Sequence, residues 1–104
     1  MNKVATLSQI LEANPNDAFA RYGLAMEYVS QGKIPEGLVE FNRCIELSPE
    51  YVPAYQMSAQ TMAANGQREL AIARLHNGIL AAMRTGNQHA RDEMEALRDE
   101  LTGE

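Results

Sequence analysis

Apolar side chains recur along this chain at the three- and four-residue spacing of a helix face. Val4, Leu7 and Ile10/Leu11 share one face, as do Leu24, Ala25 and Tyr28. Leu38, Phe41 and Ile45 repeat the spacing, followed by Ile72, Leu75 and Ile79, then Met94, Leu97 and Leu101. No stretch alternates apolar and polar residues for long enough to make a half-buried strand. Turn formers break the pattern at Asn14-Pro15-Asn16-Asp17, Gln31-Gly32-Lys33, Ser48-Pro49-Glu50, Asn65-Gly66-Gln67 and Thr85-Gly86-Asn87. Pro35 and Pro53 fit the first turn of a helix, where a missing N–H costs nothing. Asp17 and Thr85/Asn87 can supply N-caps. The pattern predicts six short helices joined by tight turns.

The helices also repeat. A shift of 34 residues lays Pro15 on Pro49, Ala20 on Ala54, Ala25 on Ala59, Gly32 on Gly66 and Gly37 on Ala71. It also lays Leu38 on Ile72, Phe41 on Leu75, Cys44 on Gly78 and Ile45 on Ile79. Applied backwards, it sets Val4, Leu7 and Leu11 against Leu38, Phe41 and Ile45, so the first helix reads as the second half of a repeat. Small residues allow the helices of a pair to cross closely, and large ones fill the space where the next pair stacks.

Period and motif together resemble the tetratricopeptide repeat, W-x2-L-G-x2-Y … A-x3-F … P. Leu24, Ala25, Tyr28, Gly37, Phe41 and Pro49 match it, with Arg21 in place of the aromatic. In the next repeat Tyr55, Ala59, Met62, Ala71 and Leu75 fit, while Ser58 departs at the leucine position and Met83 at the proline position. The resemblance implies an all-α fold, a short right-handed α-solenoid of antiparallel helix pairs. Its expected parts are a half-repeat helix (1–17), two repeats (18–51 and 52–85) and a C-terminal capping helix (86–104). The chain is about three units long, near the minimum for self-supporting stacked repeats.

Composition narrows the function classes. Hydrophobic residues make up 45% of the 104 and charged residues 22%, a globular balance. A net charge of −5 argues against nucleic acid, whose binders carry a basic surplus. No apolar run is long enough to span a membrane, and Ser8, Gln9 and Glu12 interrupt any signal-peptide core. A cytoplasmic protein without membrane or nucleic-acid partners is expected. Two arginines against six carboxylates in residues 88–104 leave the body through Asn87 within one charge of neutral. The acidity therefore reads as a solubilising end cap that says little about a binding surface.

Catalytic chemistry finds no foothold. His76 and His89 are far apart and adjoin no nucleophile motif, and there is no Gly-rich phosphate loop. Glu36/Glu40 and Glu46/Glu50 read as ordinary solvated helix faces. Cys44, the only cysteine, takes a small-residue position and reads as buried and inert. No enzyme activity, cofactor or metal is expected.

In the family resembled, first helices line a concave groove that takes a peptide or partner helix. The repeat phase assigns to it Phe19, Tyr22, Gly23, Met26, Val29 and Ser30, then Pro53, Gln56, Met57, Gln60, Ala63 and Ala64. Gly23 and Met57 stand where carboxylate-clamping relatives use Asn and Lys/Arg, so that clamp is not expected. The reading is an interaction scaffold that docks an apolar or amphipathic segment on Phe19, Tyr22, Met26, Val29 and Met57, oriented by Gln56 and Gln60. The competing reading makes Phe19, Tyr22 and Met26 core, covered by the first or last helix. A second function, homo-oligomeric assembly, would use the outer side of the first helix or this ridge.

Overall fold

A computed structural model describes residues 2–103. Its elements are α1 (Lys3–Ala13), α2 (Ala18–Ser30), α3 (Ile34–Leu47), α4 (Val52–Ala64), α5 (Arg68–Thr85) and α6 (Gln88–Thr102). Among the described residues there is no strand, and no helix is long and apolar enough to cross a membrane.

The expected punctuation sets the helix ends. Asp17 accepts the Ala20 N–H at 2.9 Å, and Asn87 accepts that of Ala90 at 3.1 Å, each tying down a donor the helix leaves unpaired. Thr85 is corrected: it lies inside α5 and its hydroxyl donates to the Ala81 carbonyl at 2.9 Å. Pro35 and Pro53 sit in the first turns of α3 and α4. Gly32 and Gly66 turn the chain within each repeat at φ 77° and 75°, a conformation that a Cβ would strain.

The missing proline at Met83 has a visible effect. Pro49 forces α3 to stop at Leu47, because a proline disfavours helical backbone at the residue before it. Thirty-four residues later nothing intervenes, and α5 continues to Thr85, 18 residues against the 14 of α3.

The chain forms two compact units, one through Pro49 and one from Glu50 onward. In the first, α2 packs on both α1 and α3. Leu11, Ala20 and Leu24 form a buried cluster with Val4, Leu7 and Tyr28 against it, and Ala25, Phe41 and Cys44 are fully buried. In the second, α5 packs on α4 and α6, and α4 also touches α6. Ala54, Ala59, Ala71 and Leu75 are fully buried there, and Met94 brings the core onto α6.

The other two departures from the repeat motif, Arg21 and Ser58, make polar contacts inside a unit. Arg21 donates to Glu40 at 2.9 Å and to the Pro15 carbonyl at 3.1 Å, while Arg43 donates to the other Glu40 oxygen at 2.8 Å. Glu40 is therefore corrected from a solvated-face residue to a buried one, its side chain 8% exposed between two guanidinium groups. Glu50 is also engaged, accepting from Arg84 Nε at 2.8 Å. In the second unit the leucine position holds Ser58, whose buried hydroxyl donates to the Ala54 carbonyl and accepts from Arg74 at 3.1 Å. Burial pulls the Arg74 guanidinium below its ordinary pKa.

Candidate functional site

The residues expected on α2 have different surroundings. Phe19, in the first turn, is 72% exposed. Tyr22 is half-buried, its ring 6.0 Å from that of Phe41 and tilted 60° to it. Burial, and next the charge of a Cys44 thiolate, push the Tyr22 hydroxyl above its usual pKa. Gly23 faces α1, where an added Cβ would meet Leu7 at 3.4 Å. Val29 is half-buried against α3: a Cβ on Gly37 would lie 2.7 Å from its Cγ2. Met26 is half-buried.

On α4, Met57 is half-buried, Gln56 is partly exposed and Gln60 is open to solvent. Gln56 and Gln60 lie one turn apart and form one wall of a cleft of about 390 Å³. The opposite wall is α6, with Met94, Ala96 and Leu97 as the apolar lining and Glu93 and Glu100 as the acidic one. Gln56 donates to Glu93 at 3.3 Å, and His89 Nε2 approaches the same carboxylate oxygen at 3.1 Å.

The repeat phase names Gln56 and Gln60 and leaves out the α6 residues that face them across the cleft. The signal was present: Ala90 repeats Ala54 at 36 residues, and Met94 puts an apolar residue at the position that Ser58 holds in the repeat before it. The extra turn of α5 moves α6 out of the 34-residue register that defined the expected surface. As a result, part of the acidity read as a solvated end cap, Glu93 and Glu100, lies on this cleft.

A second cleft, of about 380 Å³, lies in the first unit beside Arg21 and Arg43, with Glu46, Asn16, Pro15 and Leu47. Its arginines are already held by Glu40. The remaining chemistry-bearing residues are dispersed. Cys44 is fully buried and its thiol is pushed up to about 11 by desolvation, so it carries almost no thiolate near neutrality. His76 and His89 are exposed on separate helices. Among the described residues no three His, Cys, Asp or Glu side chains are grouped to hold a metal ion.

No protein-family model matches the chain. Over 48 residues, 46% of its length, it is 40% identical to Hsp70-Hsp90 organizing protein 3 of Arabidopsis thaliana, and that match spans 9% of the relative. Its fold superposes on the TPR2B domain of yeast Sti1, solved as a complex with pHsp70, with a TM-score of 0.88 at 21% identity. That alignment covers 96% of this chain and 80% of the Sti1 domain. A tetratricopeptide repeat domain protein from Salinibacter ruber matches with a TM-score of 0.80 at 27% identity, over 86% of this chain and 91% of that one. The fold and the repeat pattern are those of tetratricopeptide-repeat domains, to which the chain is similar over most of its length.

Proposed function

We propose that this domain is a protein-interaction module that docks an apolar or amphipathic peptide segment on its first-helix surfaces. The observation that carries this reading is the cleft between α4 and α6, which presents an apolar lining of Met94, Ala96 and Leu97 beside the amides of Gln56 and Gln60. Apolar lining with a few placed polar groups suits a docked segment, since burial supplies affinity and the amides supply orientation. Met57, on the same helix, adds an adaptable thioether. In the first unit Phe19 and Met26 are the proposed contacts, and Tyr22 and Val29 hold that surface through their packing on α3. A domain of the same fold, that of yeast Sti1, is solved with pHsp70, which is consistent with this use of the fold.

Panning a random peptide library against the purified chain tests the reading. Enriched apolar or amphipathic peptides are expected, with affinity lowered by Phe19→Ala and by Gln56→Ala/Gln60→Ala. Because Phe19 is largely in water, Phe19→Ala is expected to change stability by no more than about 0.5 kcal/mol. No enrichment, or affinities indifferent to both variants, would overturn it. Self-assembly is the second reading, favoured by Ile10 on α1, which is 43% exposed. A concentration-independent monomer in light scattering after size exclusion removes it.

A further inference from the structure

Resting on the peptide-docking reading, we infer that the α4–α6 cleft selects a basic amphipathic segment, with Lys or Arg on both sides of an apolar side chain. Charge is sorted around α6, with its cations held off the cleft. Its two arginines are used away from the cleft, Arg91 on Glu95 at 3.3 Å and Arg98 on Asp99 at 3.4 Å. Asp92 accepts from Gln88 at 2.7 Å. Arg68, which reaches the end of α6, donates to the Leu101 carbonyl and to Glu69. Two carboxylates line the cleft itself, Glu93, which meets Gln56 and His89 through one oxygen, and Glu100; among the described residues no Lys or Arg lines it.

Spacing sharpens the ligand. Glu93 and Glu100 are seven residues apart, so they lie about 10 Å apart along the helix, on one side after two turns. Leu97 and Met94 fall between them and form the apolar part of the cleft. In an extended segment, residues i, i+2 and i+4 point the same way and the outer pair is about 13 Å apart. Long basic side chains close that difference, placing a cation at each carboxylate and the middle apolar side chain over Leu97. The Gln56 and Gln60 amides each offer a donor and an acceptor to the backbone of such a segment. An acidic segment would meet like charge at both ends, and a neutral one would desolvate both carboxylates while offering no cation to either, leaving Glu93 only its Gln56 and His89 contacts.

The test measures fluorescence anisotropy of short labelled peptides on the full chain. The first peptide has the core arginine–serine–leucine–serine–arginine. In the second, glutamine replaces both arginines; in the third, serine replaces the leucine. The first is expected to bind roughly three- to tenfold more tightly than the second at low salt, the scale of two exposed ion pairs. That advantage should shrink at about 1 M salt, where charges are screened within about 3 Å. Glu93→Gln/Glu100→Gln should erase the advantage with the circular dichroism spectrum unchanged, whereas Glu95→Gln, whose carboxylate serves Arg91, should keep it. Equal affinity for the first two peptides, unaltered by Glu93→Gln/Glu100→Gln, overturns the charge inference and leaves the docking reading standing. No binding of any peptide at about 1 mM, the weak limit of specific recognition, overturns both. Binding that ignores loss of the leucine while keeping the charge advantage supports the acidic cleft and overturns docking by apolar burial. Dimerisation abolished by Glu93→Gln/Glu100→Gln makes the occupant a second copy, which overturns the peptide assignment.

Discussion

Gly78→Ala sets two opposed effects against each other at the point where α5 meets both walls of the cleft. A Cβ built on Gly78 would lie 2.7 Å from the Met94 sulfur and 2.7 Å from Tyr55 Cβ. The sulfur ends a flexible side chain and can swing aside. Tyr55 Cβ is bonded to the α4 backbone, so relieving that contact requires α4 and α5 to separate. Forcing a methyl into a packed interior costs about 1–3 kcal/mol. Alanine in place of glycine within a helix returns about 1 kcal/mol. The difference spans about 0–2 kcal/mol, and because Tyr55 Cβ cannot move without the α4 backbone the loss is expected in the upper half, about 1–2 kcal/mol. At roughly 4–8 °C per kcal/mol for a domain of this size, the melting temperature should fall by about 5–15 °C. Thermal and urea unfolding followed by far-ultraviolet circular dichroism measures it. Gly37→Ala is the internal control: there an added Cβ meets the Val29 methyl at 2.7 Å and the Ala25 carbonyl at 3.1 Å. The position 34 residues later is an alanine with no exposure, so the repeat geometry accepts a methyl, and Gly37→Ala should stay within about 1 kcal/mol of wild type. A Gly78→Ala protein as stable as wild type would refute the claim that close approach of α4 and α5 requires glycine here.

Two further outcomes follow from the first unit. Glu40→Ala should lose about 2 kcal/mol in urea unfolding, below the full cost of breaking a buried pair because Arg21 keeps 18% of its side chain in water; a loss under about 0.5 kcal/mol would show that the triad is merely decorative. Cys44 should react with a thiol reagent only on unfolding. Its folded pKa of about 11 lies above the ordinary 9.0, so its protonated form favours the folded state, and that stability is present below pH 9 and lost as pH rises towards 11. The raised Tyr22 hydroxyl acts in the same direction. Cys44→Ala should therefore show a shallower alkaline loss of stability than wild type, and identical slopes would contradict the burial argument.

Helix number, turn positions and the repeat were legible in the chain because each depends on local chemistry. Proline at Pro35 and Pro53, glycine at Gly32 and Gly66, and the caps at Asp17 and Asn87 act within a few residues of themselves. The core was legible too, since small and large apolar residues at a 34-residue period leave few ways to interleave. What sequence reading misjudged were residues whose role depends on a partner distant in the chain. Glu40 looked like one more surface carboxylate at i,i+4 from Glu36; Arg21, nineteen residues earlier, makes it a buried anchor. The substitution of Arg21 for an aromatic and of Ser58 for a leucine looked like lapses from the motif, yet each is answered across its own helix pair, by Glu40 and by Arg74.

The candidate site divides along the same line. The faces of α2 and α4 follow from repeat phase, so Phe19, Gln56 and Gln60 could be named in advance. Whether a face is open or occupied depends on what packs on it: α3 holds Tyr22 and Val29, and α1 meets Gly23. The sequence by itself determined the helices, their period and the family they resemble, because helix periodicity and turn chemistry are short-range. Only the tertiary structure decided that α6 supplies the facing wall and that Glu93 and Glu100 lie on a cleft. That outcome depends on one extra turn of α5, which resets the register by two residues and decides where α6 begins.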